Sequence, residues 1–297
     1  MAVEFELRHT LEGDSGIAFG EAWSPNGKLL AVAGFDPGPR IWDVATAQLR
    51  VTAEHPQRGS CIAWSPNGFA LVAGSSAGEI LMLDAMSGRI RARTVGHGDE
   101  VRSVAYSPDA RSVASCANDG TLGIWSAVDA SRITAIQAHQ AIARSVAWAP
   151  SGRSLASAGH DGTVRLWQAE TWISQGVLAD HRAPVNKVAY SPDGRLIASA
   201  SMDSTVRIWD LVSGGYVRVL EDFDGWWVNN LSFSPDGRFL ATIDQDPTIR
   251  VWEIDSPRPV WKRSVPFGNT TVNWSPDGSH LASGGLAREQ IWRLSAE

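Results

Sequence analysis

The chain is poor in cysteine, poor in lysine and free of long apolar runs. Only Cys61 and Cys116 occur in 297 residues. Neither stands in a CxxC or other metal-ligand spacing, which argues against a disulfide framework and a cysteine-based metal site. Lysine is confined to positions 28, 187 and 262, so arginine carries nearly all the positive charge. A formal net charge of −6 argues against an electrostatic nucleic-acid binder, although a local basic patch is compatible with it. No stretch approaches the ~18 apolar residues of a membrane span. The start, MAVEFELRHT, lacks the basic segment and apolar run of a signal peptide. The expectation is a soluble protein of a reducing, cytoplasmic compartment, with no membrane partner.

What the chain has in quantity is tryptophan, fourteen residues, and a 43% hydrophobic fraction large enough for a substantial core. The stretch Val185–Asp210, VNKVAYSPDGRLIASASMDSTVRIWD, sets the pattern. Short runs of apolar β-formers are separated by a Ser191-Pro192-Asp193-Gly194 turn and a Met202-Asp203-Ser204 turn, the mark of antiparallel hairpins. The first turn recurs at Ser24, Ser65, Ser107, Ala149, Ser191, Ser234 and Ser275, in steps of 41 to 43 residues. Seventeen residues past each start begins an apolar dipeptide such as Ile41-Trp42, Ile124-Trp125 or Ile208-Trp209; the seventh, Ile291-Trp292, comes one residue early. A period near 42 with this punctuation reads as propeller blades.

These residues resemble the WD40-repeat β-propeller family over essentially the whole chain. The Trp-Asp pair itself stands at Trp42-Asp43 and Trp209-Asp210. The resemblance implies an all-β, seven-bladed propeller over residues 1–297, with four antiparallel strands per blade around a central channel. Too few residues follow Trp292 for a fourth strand, and Val3–Leu11 fits that vacancy. Residues 1–11 are therefore expected to close the ring beside the third strand of blade seven.

His55, His97, His139 and His181 are spaced 42 residues apart, each ten before a turn start. The family pattern links this His to a second-strand Ser or Thr, the tight-turn Asp and the third-strand Trp. The complete sets are His97–Ser115–Asp119–Trp125, His139–Ser157–Asp161–Trp167 and His181–Ser199–Asp203–Trp209. A Ser/His/Asp combination also suggests a hydrolase triad. Repetition at one blade position favours a scaffold role, because a buried imidazole, hydroxyl and carboxylate must satisfy one another. Blade six offers Thr242, Asp246 and Trp252, with Asp224 in the His position. No cofactor, metal ligand set or phosphate loop is visible, and the chain reads as a non-enzyme.

By family analogy, three positions per blade face partners on the loop face around the channel. Two stand seven and five residues before the turn start, and one precedes the tight-turn Asp. Arg58, Arg102 and Arg144, with His160, suggest a basic arc on blades two to four. Phe19, Phe35, Met202 and Trp227 suggest an apolar group on blades one, five and six. Aromatic side chains beside Arg are the composition of interface hot spots. The expected function is a protein- or peptide-binding scaffold; the alternatives are a lactonase-like propeller hydrolase at the channel mouth and a structural assembly subunit.

Overall fold

Each blade starts from its turn. In the Ser-Pro-Asp/Asn-Gly turns, the serine hydroxyl accepts the amide five residues on, as in Leu29 N to Ser24 Oγ (2.9 Å) and Leu196 N to Ser191 Oγ (2.8 Å). The fourth residue takes a left-handed backbone, with φ of 68° at Gly27 and 73° at Gly194. Glycine adopts this conformation without a Cβ clash. Blade three has Ala110 there instead, at φ 59°.

The structure, a computed structural model, describes residues 3–11, 18–36, 38–53, 55, 58–266, 268–285 and 288–295. These form twenty-eight strands in seven four-stranded antiparallel sheets; no helix occurs among the described residues. Blade five is representative, running outward through Val185–Tyr190, Leu196–Ser201, Val206–Asp210 and Tyr216–Leu220. Blade seven takes three strands from the C-terminal end, Asn269–Trp274, His280–Gly285 and Glu289–Ser295. Its fourth is Glu4–Leu11, paired antiparallel with Glu289–Ser295. The ring thus closes as the repeat count implies. Phe5 anchors the closing strand, its ring 5.0 Å from Trp261 and 5.5 Å from Trp274.

The core lies between blades, since one sheet cannot bury both its faces alone. At five junctions, an aliphatic residue on one third strand shares a buried cluster with one on the next inner strand. These pairs are Ile80–Val104, Leu122–Val146, Val164–Val188, Val206–Leu231 and Ile249–Val272. The junction between blades seven and one differs: Glu289 and Glu21 occupy the two corresponding positions, and both are buried. Glu21 Oε1 accepts from the Asn273 amide (3.1 Å), while Glu21 Oε2 and both Glu289 oxygens find no donor among the described residues. Two buried carboxyls acting on one another favour protonation of one of the pair. Burial first, then the neighbouring Glu21 charge, pushes the Glu289 carboxyl well above the usual range. Burial likewise raises Glu21, against the polar side chains of Asn273 and Thr271 beside it. Gly284 makes room, since a Cβ there would lie 1.8 Å from Glu289 Oε1.

Tryptophan side chains tie the same boundaries. Trp64 Nε1 donates to Ala22 O (3.0 Å) and Trp148 Nε1 to Ala105 O (3.2 Å), each reaching back one blade. Trp23 Nε1 does so across the closure, to Asn273 O at 3.2 Å.

Candidate functional site

The channel wall is made by one irregularity repeated seven times. In every blade, the register between the inner and second strands slips near the start of the inner strand. A β-bulge leaves one residue outside the ladder and re-aims its side chain. The extra residues are Phe19, Ser60, Arg102, Arg144, Asn186, Asn229 and Thr270, and all seven line an axial cavity of about 360 Å³. The next residue of each blade forms a second ring: Gly20, Cys61, Ser103, Ser145, Lys187, Asn230 and Thr271.

The other two sequence-derived positions meet at the mouth of this cavity. In blades two to six, the amide before the tight turn donates to the carbonyl seven residues before the same blade's turn start. The bonds are Ser76 to Arg58, Asn118 to Glu100, His160 to Ile142, Met202 to Pro184 and Gln245 to Trp227, at 2.9 to 3.3 Å. Ile17, the blade-one counterpart of Arg58, lies outside the described residues.

Phe19 and Phe35 pack with ring centroids 5.8 Å apart, and the Arg58 guanidinium lies 5.1 Å from the Phe35 centroid and 5.8 Å from that of Phe19. A guanidinium over an aromatic face gains from the ring quadrupole. Even so, Phe19 stays 38% and Phe35 49% exposed. Arg102 is held within its own blade: its Nε donates to Asn118 Oδ1 (2.7 Å) and its guanidinium pairs with Glu100 (3.2 Å). The charge of Arg144 acts on His160, whose imidazole is pulled down by burial, then by Arg144 and Arg102. The expected arc of three arginines is therefore divided. Arg58 joins the aromatic pair of blade one, whereas Arg102 and Arg144 turn to the channel near His160. Met202 is half-buried, and no side-chain hydrogen bond, ion pair or ring contact joins it or Trp227 to the other candidates among the described residues. Trp226 and Trp227 are 44% and 46% exposed.

The three histidine sets are wired as structure. In blade five, Trp209 Nε1 donates to Ser199 Oγ (2.9 Å), His181 Nε2 contacts Ser199 Oγ (2.7 Å) and His181 Nδ1 contacts Asp203 (2.8 Å). Blade four repeats this at 2.9, 2.8 and 3.0 Å through Trp167, Ser157, His139 and Asp161. In blade three the His97–Asp119 separation is 3.7 Å, and Thr121 bridges them at 2.7 and 2.6 Å. Burial opposes ionisation of Asp203, but hydrogen bonds from His181, Thr205 and the Arg182 amide outweigh it and hold the carboxyl below the ordinary range. Ser115, Ser157 and Ser199 have no exposed surface. A nucleophile sealed between strands meets no substrate, so none of the sets operates as a hydrolase triad.

Blade six departs from its sequence reading. Asp246 is exposed, and Asp244 takes the buried role. Arg250 pairs with Asp244, lies 3.6 Å from Asp222 and stacks 5.1 Å from the Phe223 centroid. A third-strand arginine thus fills the space left without a histidine. In blade two, His55 survives with Glu79 as partner at 3.1 Å.

Lys187, Glu21 and Glu289 were not singled out by the sequence reading. The signal lies in the repeat columns. Glu21 stands where the other inner strands carry Ile62, Val104, Val146, Val188, Leu231 and Val272, and Lys187 stands among small or uncharged residues.

Comparison with known proteins agrees with this architecture. A family described as WD domain, G-beta repeat matches residues 5–43 and 214–253, and one described as the fourth β-propeller of WDR90 matches residues 100–228. Among curated proteins, the WD repeat-containing protein WDS homolog of Arabidopsis thaliana is 37% identical over 92 residues, 29% of this chain and 18% of its own length. The Arabidopsis WD repeat-containing protein VIP3 is 30% identical over 109 residues, 32% of this chain and 34% of its own. Meiotic recombination protein rec14 of Schizosaccharomyces pombe is 30% identical over 89 residues, 28% and 30% respectively. The matches therefore span about a third or less of each relative's length. Seven four-stranded blades, their shared turn and tryptophan grammar, and these matches place the chain in the WD40-repeat β-propeller family.

Proposed function

We propose that this propeller is a non-catalytic scaffold that binds a protein or peptide on its loop face around the channel mouth. The observation that carries the reading is the aromatic surface there. Phe19 and Phe35 remain exposed beneath Arg58, and Trp226 and Trp227 stand exposed at the entry to blade six. The corresponding positions of other blades carry residues such as Ser60, Ser76 and Asn186, so blade folding does not require aromatics there. Large exposed apolar groups beside arginine fit a partner's apolar anchors, with Arg102, Arg144 and His160 on the opposite side of the mouth to meet acidic groups. Met202 adds an adaptable apolar contact between these sectors.

The test is affinity capture with mass spectrometry, comparing the natural chain with a Trp227→Ala, Arg102→Ala double variant. The variant should melt like the natural chain and lose the captured partner, because aromatic and arginine hot spots cost about 2 kcal/mol or more each when truncated. Capture at undiminished affinity refutes this site assignment.

A further inference from the structure

The second channel ring contains a charge that blade architecture does not ask for. Six blades place Gly20, Cys61, Ser103, Ser145, Asn230 or Thr271 at this position; blade five places Lys187. One of only three lysines in an acidic chain therefore stands inside the axial cavity. The bulge ring above it contributes Arg144 from the neighbouring blade, where four other blades are satisfied with Ser60, Asn186, Asn229 or Thr270. Among the described residues, neither Arg144 nor Lys187 has a hydrogen-bond or ion-pair partner. By contrast, Arg102 is partly neutralised by Glu100.

Two unpaired cations in one narrow cavity work against each other. Burial pulls the Lys187 ammonium down, and the nearby Arg144 charge adds to the effect; Cys116, Cys61 and Glu21 oppose it. Burial and Arg102 likewise pull Arg144 down. The opposing carboxyl of Glu21 also lines the cavity, but it shares its proton economy with Glu289 and leaves an excess of positive charge on the wall. Cations kept in this state are stabilised by an anion that both can touch. The amides of Asn229 and Asn230 and the hydroxyl of Thr270 supply further donors around the same space.

We propose that the axial channel is a binding site for a small phosphate-class oxyanion, held between Arg144 and Lys187 with Arg102 at its rim. Arginine matches two phosphate oxygens at once, lysine adds a point charge, and a dianion balances the pair. The cavity, at about 360 Å³, is larger than a lone phosphate and leaves room for the organic part of a small phosphate ester. The site does not depend on the aromatic surface of the loop face.

The experiment is a titration of inorganic phosphate followed by melting temperature and calorimetry, with chloride at matched ionic strength as control. The natural chain should show saturable binding and a rising Tm. Lys187→Met and Arg144→Gln should each fold, melt no lower than the natural chain in phosphate-free buffer, and bind phosphate about tenfold or more weakly, the loss expected for one charged hydrogen bond. A second arm titrates a short phosphoserine peptide against bound phosphate. Competition at higher affinity than phosphate identifies the anion as one delivered by a docked chain; competition no better than phosphate identifies a free small molecule. Absence of saturable binding, or equal affinity in both variants, overturns the proposal. Trp227→Ala should leave phosphate binding unchanged, which separates this site from the partner surface.

Discussion

The junction between blades five and six and the junction between blades seven and one are built on the same template with opposite chemistry. The first buries Val206 against Leu231; the second buries Glu289 against Glu21. Burying an aliphatic side chain contributes about 1.5–3 kcal/mol, whereas a buried carboxyl pair is tolerated only by sharing a proton. The ring closure thus places two carboxyls in a junction that is otherwise apolar, where Leu11, Ala282 and Ile291 share a buried cluster with Trp23, Leu30, Val32 and Trp42. It is also held by strand pairing along Glu4–Leu11, by Phe5 between Trp261 and Trp274, and by Trp23 bonded to Asn273. Both junctions have an apolar core; the closing one adds a carboxyl pair and a strap.

The sharpest way to break this contrast is to remove the strap. Deleting residues 1–11 should lower Tm by roughly 10 °C or more, since truncating a buried Phe alone costs about 3–5 kcal/mol. An unchanged thermal melt would mean that the ring closes without the strand. Next in size, Leu231→Glu should turn the ordinary junction into half of the closing one, without a second carboxyl to share a proton. An uncompensated buried charge costs about 3–5 kcal/mol, readable as a lower urea midpoint; wild-type stability would show that the junction admits water.

The carboxyl pair makes a finer prediction, in the pH dependence. In the unfolded chain both carboxyls ionise in the ordinary range. In the folded chain burial raises both, so the folded state binds more protons over that window. Stability contributed by the pair is therefore full at pH values below the ordinary range and falls as pH rises towards the raised folded values. Arg40, Lys187, Asn273 and Thr271 act on the pair and limit the effect without reversing it. Glu289→Gln, which cannot lose a proton, should gain stability relative to the natural chain as pH increases from 5 to 8. The difference in Tm between the two proteins isolates this term from buried His97 and His139, whose burial-lowered imidazoles give the opposite slope. A difference that stays constant with pH would show that the carboxyls do not share a proton. The smallest effect belongs to the turns. Ala110→Gly should relieve the left-handed strain at φ 59° and add about 0.5–1 kcal/mol. No change in the denaturation midpoint would show that blade three stores no strain there.

Much of this architecture is legible in the sequence. Turn chemistry and apolar alternation are local signals, and seven repetitions at one spacing made the blade count and the strand that closes the ring readable. The histidine sets were legible for the same reason. Blade six was not: Asp246 sits at the template distance, but the buried Arg250 selected Asp244, a choice made by packing rather than spacing. The candidate site was legible by position and not by grouping. Arg58, Arg102 and Arg144 share nearly one column of the repeat, yet neighbouring side chains drew them to different tasks.

The sequence by itself determined what is decided within one blade: the turns, the strand order and the place of the third-strand tryptophan. Only the tertiary structure decided what passes between blades, such as the Glu21–Glu289 pair and the meeting of Arg144 with Lys187. Stacking of successive blades brings Arg144 beside Lys187, ring closure brings Glu21 to Glu289, and a local pattern carries no record of which neighbour a side chain will face.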